Sequence, residues 1–306
     1  MDQIVEQIIV LRTPLKLNDF INGKSVSIRR DNPDDQEHFG QEISLKIYDR
    51  QEIANGQSRY QIVQQPKLKT RAILNDRRGD LMLLINGMPV IHIELKRSGV
   101  SVSRAYNQIE KYAHEGVFTS IFSLIQVFVA MEPEETVYFA NPGPDGEFNK
   151  AFYFHWANFD NEPINDWKQV VSELLNIPMA HTLIGFYTIP DAKDNTLKVM
   201  RSYQYYAATR LADRVTDKDW SDTDILGGHI WHTTGSGKTL TSFKSATLIA
   251  SWHDADKVVF LVDRKALGRQ SFDDFTAFAG PSEVIQATED STELGAKLKS
   301  DSTQDT

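Results

Sequence analysis

The sequence predicts an α/β protein of two domains. An apolar hairpin pattern, "GDLMLLINGMPVIHIELKRS", runs directly into a helical one, "RAYNQIEKYAHEG". Past Asn195, strand-like and helix-like segments alternate, as in a parallel sheet with crossover helices. The chain has 306 residues, more than the roughly 100–200 of one typical domain. Its 41% apolar content supplies two cores and excludes a disordered chain.

Residues 1–70 carry the weakest pattern. Alternation in "EISLKIYDR" (Ile43, Leu45, Ile47) and in "SRYQIVQQP" predicts two strands, the second ending at Pro66. In the hairpin, Asn86-Gly87 supplies the positive φ angles of a tight type I′ turn. The next helix takes Ser101 or Ser103 as its N-cap and stops at Gly116. "SLIQVFVAM" and "ETVYFAN" read as strands around the turn "EPEE", and "NPGPDGEFN" as an exposed loop. "DWKQVVSELLNI" predicts a helix ending before Pro178, and "IPDAKDN" (189–195) a linker, dividing the chain into domains 1–188 and 196–306. In the second domain "RSYQYYAATRLADRV", "GKTLTSFKSATLIASW" and "RKALGRQSFDDF" predict helices, and "GGHIWHT" and "KVVFLVD" strands. The last residues, "AKLKSDSTQDT", add no closing element.

The chain lacks cysteine, which excludes disulfides and thiolate metal sites. It shows no secretory leader, and no apolar run approaches the ~18–20 residues of a membrane span, so a soluble cytoplasmic protein is expected. A net charge of −9 argues against a generally basic coat for nucleic acid. Charge is nevertheless uneven: "KLKTRAILNDRR" (67–78) is strongly basic, and Lys96, Arg97 and Arg104 follow. Taken alone, that cluster reads equally as a solvated face or as a local docking patch.

The most specific signal is "HTTGSGKTLT", residues 232–241. A strand, a turn with two glycines, then Lys-Thr opening a helix is the phosphate-loop arrangement. Gly235 and Gly237 let the backbone wrap closely, so N–H groups of Thr234 to Lys238 and the helix N-terminus point at phosphate. Lys238 is expected to reach the β- and γ-phosphates of ATP and Thr239 to ligate its Mg²⁺. His232 stands where the strict pattern has glycine. Gln204, in "RSYQYYA", is a weaker candidate for reading adenine.

The second signal lies in "VIHIELKRSG". Side chains alternate along a strand, so Val90, His92, Glu94 and Lys96 share one face. Asp80 begins the partner strand of the hairpin. Two carboxylates brought close repel unless protonated or metallated, which suggests a hard divalent cation held by Asp80 and Glu94. Mg²⁺ there would polarise a phosphodiester and acidify a water. Lys96 would orient that water or stabilise the developing charge. Gln108 and Tyr112, i and i+4 on the next helix, face one way as supporting or DNA-contacting groups. The pattern Asp-x(n)-Glu-x-Lys by itself also describes an exposed amphipathic edge strand; the hairpin, the helix and the phosphate loop behind it favour the site. His92 shares the face, but a single strand histidine is more often structural and is given no role.

Together, "GDLMLLINGMPVIHIELKRS", "AYNQIEKY", "HTTGSGKT" and "VVFLVDRKALGRQ" resemble the restriction (motor–endonuclease) subunit of type I restriction-modification enzymes, over about Asp80 to Gln270. The resemblance implies a PD-(D/E)xK-type nuclease domain, a mixed sheet flanked by helices, followed by a RecA-like helicase motor with a parallel sheet. It implies ATP-driven translocation of double-stranded DNA, cleavage when the motor stalls, and assembly with methyltransferase and DNA-specificity subunits. By position, Asp80 and Glu94 become Mg²⁺ ligands, Lys96 the catalytic lysine, Gln108 and Tyr112 supporting groups, and Lys238 and Thr239 the ATP·Mg²⁺ residues. No Asp-Glu-x-His-type segment follows Gln270. The expectation is therefore an N-terminal fragment with a truncated motor, binding nucleotide weakly and turning it over poorly. A repair-type nuclease–helicase fusion and a non-catalytic DNA- or partner-docking module stay open.

Overall fold

In a computed structural model the described residues are 2–23, 25–53, 56–70, 75–217, 227–252, 254–280, 283–288 and 290–300. Arg71 of the basic cluster and the tail 301–306 lie outside them. The chain divides into two compact units, Met1–Ile189 with Asp194–Val199, and Pro190–Lys193 with Met200–Thr306. No helix among the described residues is long and apolar enough to cross a membrane.

The first unit is a mixed α/β layer around a five-stranded sheet. Strands Leu81–Ile85 and Met88–Leu95 pair antiparallel through a turn in which Asn86 (φ 50°) and Gly87 (φ 81°) both take positive φ, as a type I′ turn demands. The register shifts between Leu83, opposite Ile91, and Leu84, opposite Pro89, so Val90 is the extra residue of a bulge. Tyr60–Gln64 adds an antiparallel edge beside Leu81–Ile85. After Leu95 the chain crosses over through the helix Ser103–His114 and returns as Val127–Glu132, parallel to Met88–Leu95. Glu135–Ala140 then folds back antiparallel and closes the sheet. Every residue of Val127–Glu132 is buried, as expected of a strand with neighbours on both sides and a covered face.

Helix Ser103–His114 covers that face. Ala105, Ile109 and Tyr112, at helical spacing, are its buried residues and pack with Met82, Phe128, Ala130, Val137 and Phe139. Each large apolar side chain so buried contributes about 1.5–3 kcal/mol, which fixes the helix above the strand ends where Glu94 and Lys96 lie.

Several elements differ from expectation. Residues 1–70 also contain the helices Asp2–Ile9 and Pro14–Asn22, the second capped by Thr13, whose hydroxyl accepts the Lys16 N–H. Glu42–Lys46 pairs antiparallel with Ser25–Arg29 as a separate ribbon. Pro178 does not merely end a helix: Trp167–Glu173 stops earlier, and Ile177–Gly185 begins with Pro178 in its first turn under an Asn176 cap. The ring's missing N–H costs nothing in a first turn, where no intrahelical partner exists. The expected linker 189–195 is part of a hairpin between Thr188–Asp191 and Thr196–Val199. Asp194 accepts the Thr196 N–H and Asn195 takes φ 56°, so the polar stretch is a tight turn.

The Ile177–Gly185 helix carries a buried histidine with a defined tautomer. His181 Nε2 lies 2.9 Å from the Asp49 carbonyl and so carries the proton; Nδ1 then accepts from the Tyr60 hydroxyl at 2.8 Å. Tyr48 stacks on the ring at 4.6 Å. Burial pushes the His181 pKa down, so the unfolded chain takes up this proton more readily than the folded one. The stability the neutral ring confers is present above the ordinary pKa of ~6.5 and lost as pH falls through the folded value. Thermal melts should show the transition temperature falling from about pH 7.5 to about pH 5, and falling less in His181→Gln, which has no such proton to take up.

In the second unit Ser202–Thr216, Lys238–Ser251, Lys265–Phe278 and Ser291–Lys299 are helical. Phe243, 2% exposed, packs with the Phe275 and Phe278 rings, each 5.6 Å away. The expected parallel sheet is not formed here: among the described residues, 227–233 and 257–262 carry no strand ladder. Trp231 is 90% and Leu261 86% exposed. A parallel strand exists only through hydrogen-bonded neighbours and covered faces; apolar composition creates the demand for that burial without supplying the partners.

Candidate functional site

The hairpin register places the charged groups. Leu81 faces Ile93, so one further step sets Asp80 opposite Glu94. The Leu95 N–H donates to Asp80 Oδ2 at 2.7 Å, which anchors that carboxylate at the strand end. Glu94 is 0% exposed. Its Oε1 accepts from Lys96 Nζ at 3.2 Å, and the same ammonium donates to the Leu95 carbonyl at 3.0 Å. Acid and base on one face are thus in direct contact, and an ammonium has a third N–H to give. Glu94 Oε2 is buried with no hydrogen-bond partner among the described residues. Such an orphan oxygen calls for a cation, a water or a proton. No cluster of three or more His, Cys, Asp or Glu side chains suited to a metal ion occurs among the described residues.

Above this pair lies an open pocket of about 630 Å³, lined by Arg77, Lys96, Arg104, Gln108, Lys111 and Tyr112, among others. Gln108 donates to the Tyr112 hydroxyl at 2.7 Å, which donates in turn to the Arg78 carbonyl at 3.2 Å. Helix and strand are thereby tied two residues before Asp80. Burial and the nearby Glu94 charge push the Tyr112 pKa up, so the phenol stays a donor. Arg77 makes two hydrogen bonds to Glu115, at 2.7 and 2.9 Å, and holds that carboxyl below its usual range. Arg104 is exposed and has no ion-pair partner among the described residues.

The second unit carries the phosphate loop. Gly235 (φ 77°) and Gly237 (φ 82°) both adopt the left-handed conformation, and Gly237 caps the helix Lys238–Ser251. Lys238 Nζ donates to the Thr233 carbonyl at 3.0 Å, and Ser236 Oγ donates to the same oxygen at 2.8 Å. Thr239 occupies the first turn of the helix, and Thr234 sits exposed at the loop tip. Gln204 is buried: its Oε1 accepts the Arg201 N–H at 3.0 Å, and its Nε2 lies 3.5 and 3.4 Å from the Ser236 and Gly237 carbonyls. Gln204 therefore braces the loop rather than facing outward to a base. A Cβ on Gly237 would collide with its amide.

Tyr203 escaped the sequence reading, and His92 was weighed there and given no role. Tyr203 donates to the Ser236 carbonyl at 2.9 Å, a second brace with no sequence signature. His92 had one, its place on the Glu94 face; its Nε2 lies 3.4 Å from Glu94 Oε2, with the ring 0% exposed.

Comparison with known proteins gives two family models and several relatives. A family model described as "Type I restriction enzyme R protein N terminus" matches residues 17–147, and one described as "SWI2/SNF2 ATPase" matches 203–305. The chain is 34% identical over 288 residues to the type I restriction enzyme SsaAORF53P endonuclease subunit of Staphylococcus saprophyticus, covering 93% of this chain and 29% of that one. It is 38% identical over 202 residues to the SauCOLORF180P endonuclease subunit of Staphylococcus aureus, covering 66% and 21%. It is 33% identical over 152 residues to a putative type I restriction enzyme endonuclease subunit, C-terminal part, of Mycoplasma pneumoniae, covering 48% and 72%. The chain spans under a third of the length of the two staphylococcal relatives.

Proposed function

The chain belongs to the endonuclease subunits of type I restriction enzymes, and on that footing we propose that its first unit is a Mg²⁺-dependent DNA nuclease of the PD-(D/E)xK type and its second an ATP-binding part of a RecA-like translocating motor. The observation that carries the reading is the Glu94 carboxylate, buried, bonded to Lys96 and opposite Asp80 by the hairpin register, under a basic pocket.

The donor set fits the ion. Asp80 and Glu94 offer hard oxygens, and Glu94 Oε2 lacks a hydrogen-bond partner among the described residues, His92 Nε2 standing 3.4 Å away. A site of two carboxylates suits Mg²⁺, which keeps waters and takes substrate phosphate as its remaining ligands. Held there by Asp80 and Glu94, Mg²⁺ would supply Lewis acidity to the phosphodiester and acidify a water. Lys96, held by Glu94 and the Leu95 carbonyl, presents its remaining N–H to the pocket, where it can orient the attacking water or meet the developing negative charge. Gln108 and Tyr112 keep the helix seated over the site.

In the second unit the N–H groups of the 234–238 loop would hold the phosphates of ATP, Lys238 would leave the Thr233 carbonyl for a phosphate oxygen, and Thr239 would offer its hydroxyl to the accompanying Mg²⁺. The partners of the whole enzyme would be double-stranded DNA and the methyltransferase and DNA-specificity subunits. The test is nicking of supercoiled plasmid by this chain with Mg²⁺, abolished by EDTA. Degradation confined to the ends of linear DNA would favour a repair-type nuclease, and absence of metal binding a docking module.

The pocket yields a separate expectation. Arg104 would contact a phosphate and no base, so Arg104→Ala should weaken binding of all duplex sequences alike. It should also make the log–log salt slope shallower by about 1, one released counterion. Fluorescence anisotropy across a salt series checks this.

A further inference from the structure

His92 sits in the middle of a central strand, fully buried, and neither ring nitrogen has a hydrogen-bond partner among the described residues. Burying an unpaired polar group costs free energy, so such a group calls for a reason. One contact is informative: His92 Nε2 is 3.4 Å from Glu94 Oε2, itself a buried atom with no hydrogen-bond partner among the described residues. The strand period explains the meeting, because residues two apart share a face. The ring is boxed in. Phe118 and Phe128 lie 5.3 and 6.2 Å from it. On the remaining side, Gly79 supplies the room, since a Cβ there would come within 2.6 Å of His92 Cε1. Glu94 is therefore strung between two nitrogens, an ammonium reaching Oε1 from the pocket side and an imidazole approaching Oε2 from the core.

We propose that His92 is a positioning residue for Glu94, its Nε2 standing 3.4 Å from Oε2 within the core, close enough to donate to it and fix the plane in which the carboxylate meets its cation. The proposal rests on the reading of Asp80 and Glu94 as cation ligands. The terminal torsion of a glutamate is soft, and a ligating carboxylate without an outer partner is free to turn away from its ion. Lys96 alone holds one oxygen; holding both defines the plane. Phe in place of His would keep the packing against Phe118 and Phe128 and remove the donor, whereas Gln would keep a nitrogen donor at a similar reach.

Calorimetric titration of the full chain with Mn²⁺ is the test, with folding of each variant verified by thermal melting. His92→Phe should bind Mn²⁺ about 10–100-fold more weakly than wild type, the usual effect of removing an outer-shell partner. His92→Gln should recover most of that loss. A structural role alone would not separate two variants that both fold. A second measurement needs no variant: ¹⁵N-detected NMR of the wild-type imidazole should show the Nε2–H tautomer, with Nδ1 bare. Equal Mn²⁺ affinity of wild type and His92→Phe, or a proton on Nδ1 with none on Nε2, would overturn the proposal while leaving the cation site standing. Absence of Mn²⁺ binding by wild type would remove the cation site and the proposal together.

Discussion

Glu94→Gln is expected to abolish Mg²⁺-dependent nicking of plasmid and to leave the fold intact. The side chain keeps its volume and one carbonyl oxygen for Lys96 Nζ, now 3.2 Å from Oε1. It loses the negative charge that balances both the ammonium and the divalent ion. Because Glu94 is 0% exposed, water cannot replace that charge, and electrostatic effects in such an enclosed site exceed those at a surface. Loss of a ligand should lower cleavage at least as much as loss of one preorganised transition-state donor, about 10²–10³-fold. Calorimetry with Mg²⁺ gives the parallel readout, in which heat seen for wild type should vanish. Lys96→Ala should separate the two roles, lowering cleavage by a similar factor while Mg²⁺ still binds. Unchanged nicking in Glu94→Gln would end the nuclease reading.

Lys238→Ala should have the largest effect in the second unit. The wild-type amine is parked on the Thr233 carbonyl at 3.0 Å, a neutral partner that a phosphate oxygen outcompetes. A charge-assisted hydrogen bond contributes about 1.5–3 kcal/mol, so affinity for a fluorescent ATP analogue should fall by roughly 10–150-fold. ATP turnover by this chain that is unaltered in Lys238→Ala would contradict the assignment. Gln204→Ala offers a contrast. Since Gln204 braces the loop through the Ser236 and Gly237 carbonyls, its loss should weaken ATP, GTP and pyrophosphate alike, whereas a base-reading glutamine would matter for ATP alone.

Motifs whose chemistry is local were legible as text. Asn86-Gly87 requires positive φ at both residues and takes it; Gly235 and Gly237 do the same in the phosphate loop. The spacing of Ala105, Ile109 and Tyr112 marks the buried stripe of the helix, and strand alternation sets Glu94 and Lys96 on one face, where they touch. Each of these follows from a backbone period or a dihedral preference that a few neighbouring residues decide.

Tertiary structure decided the rest, wherever the outcome depended on a partner far away in sequence. Asp80 is anchored by the Leu95 N–H because a bulge at Val90 sets the register. His92 acquires its meaning from Glu94 on one side and from the space left by Gly79 on the other. Gln204 turns inward because Ser236 and Gly237 offer carbonyls. The segments 227–233 and 257–262 read as strands yet carry no ladder, since a ladder belongs to two segments and never to one. Local text therefore specifies which groups are present and which way the chain turns; the energy of a buried charge or an unpaired strand depends on its neighbours, and only the folded chain supplies those.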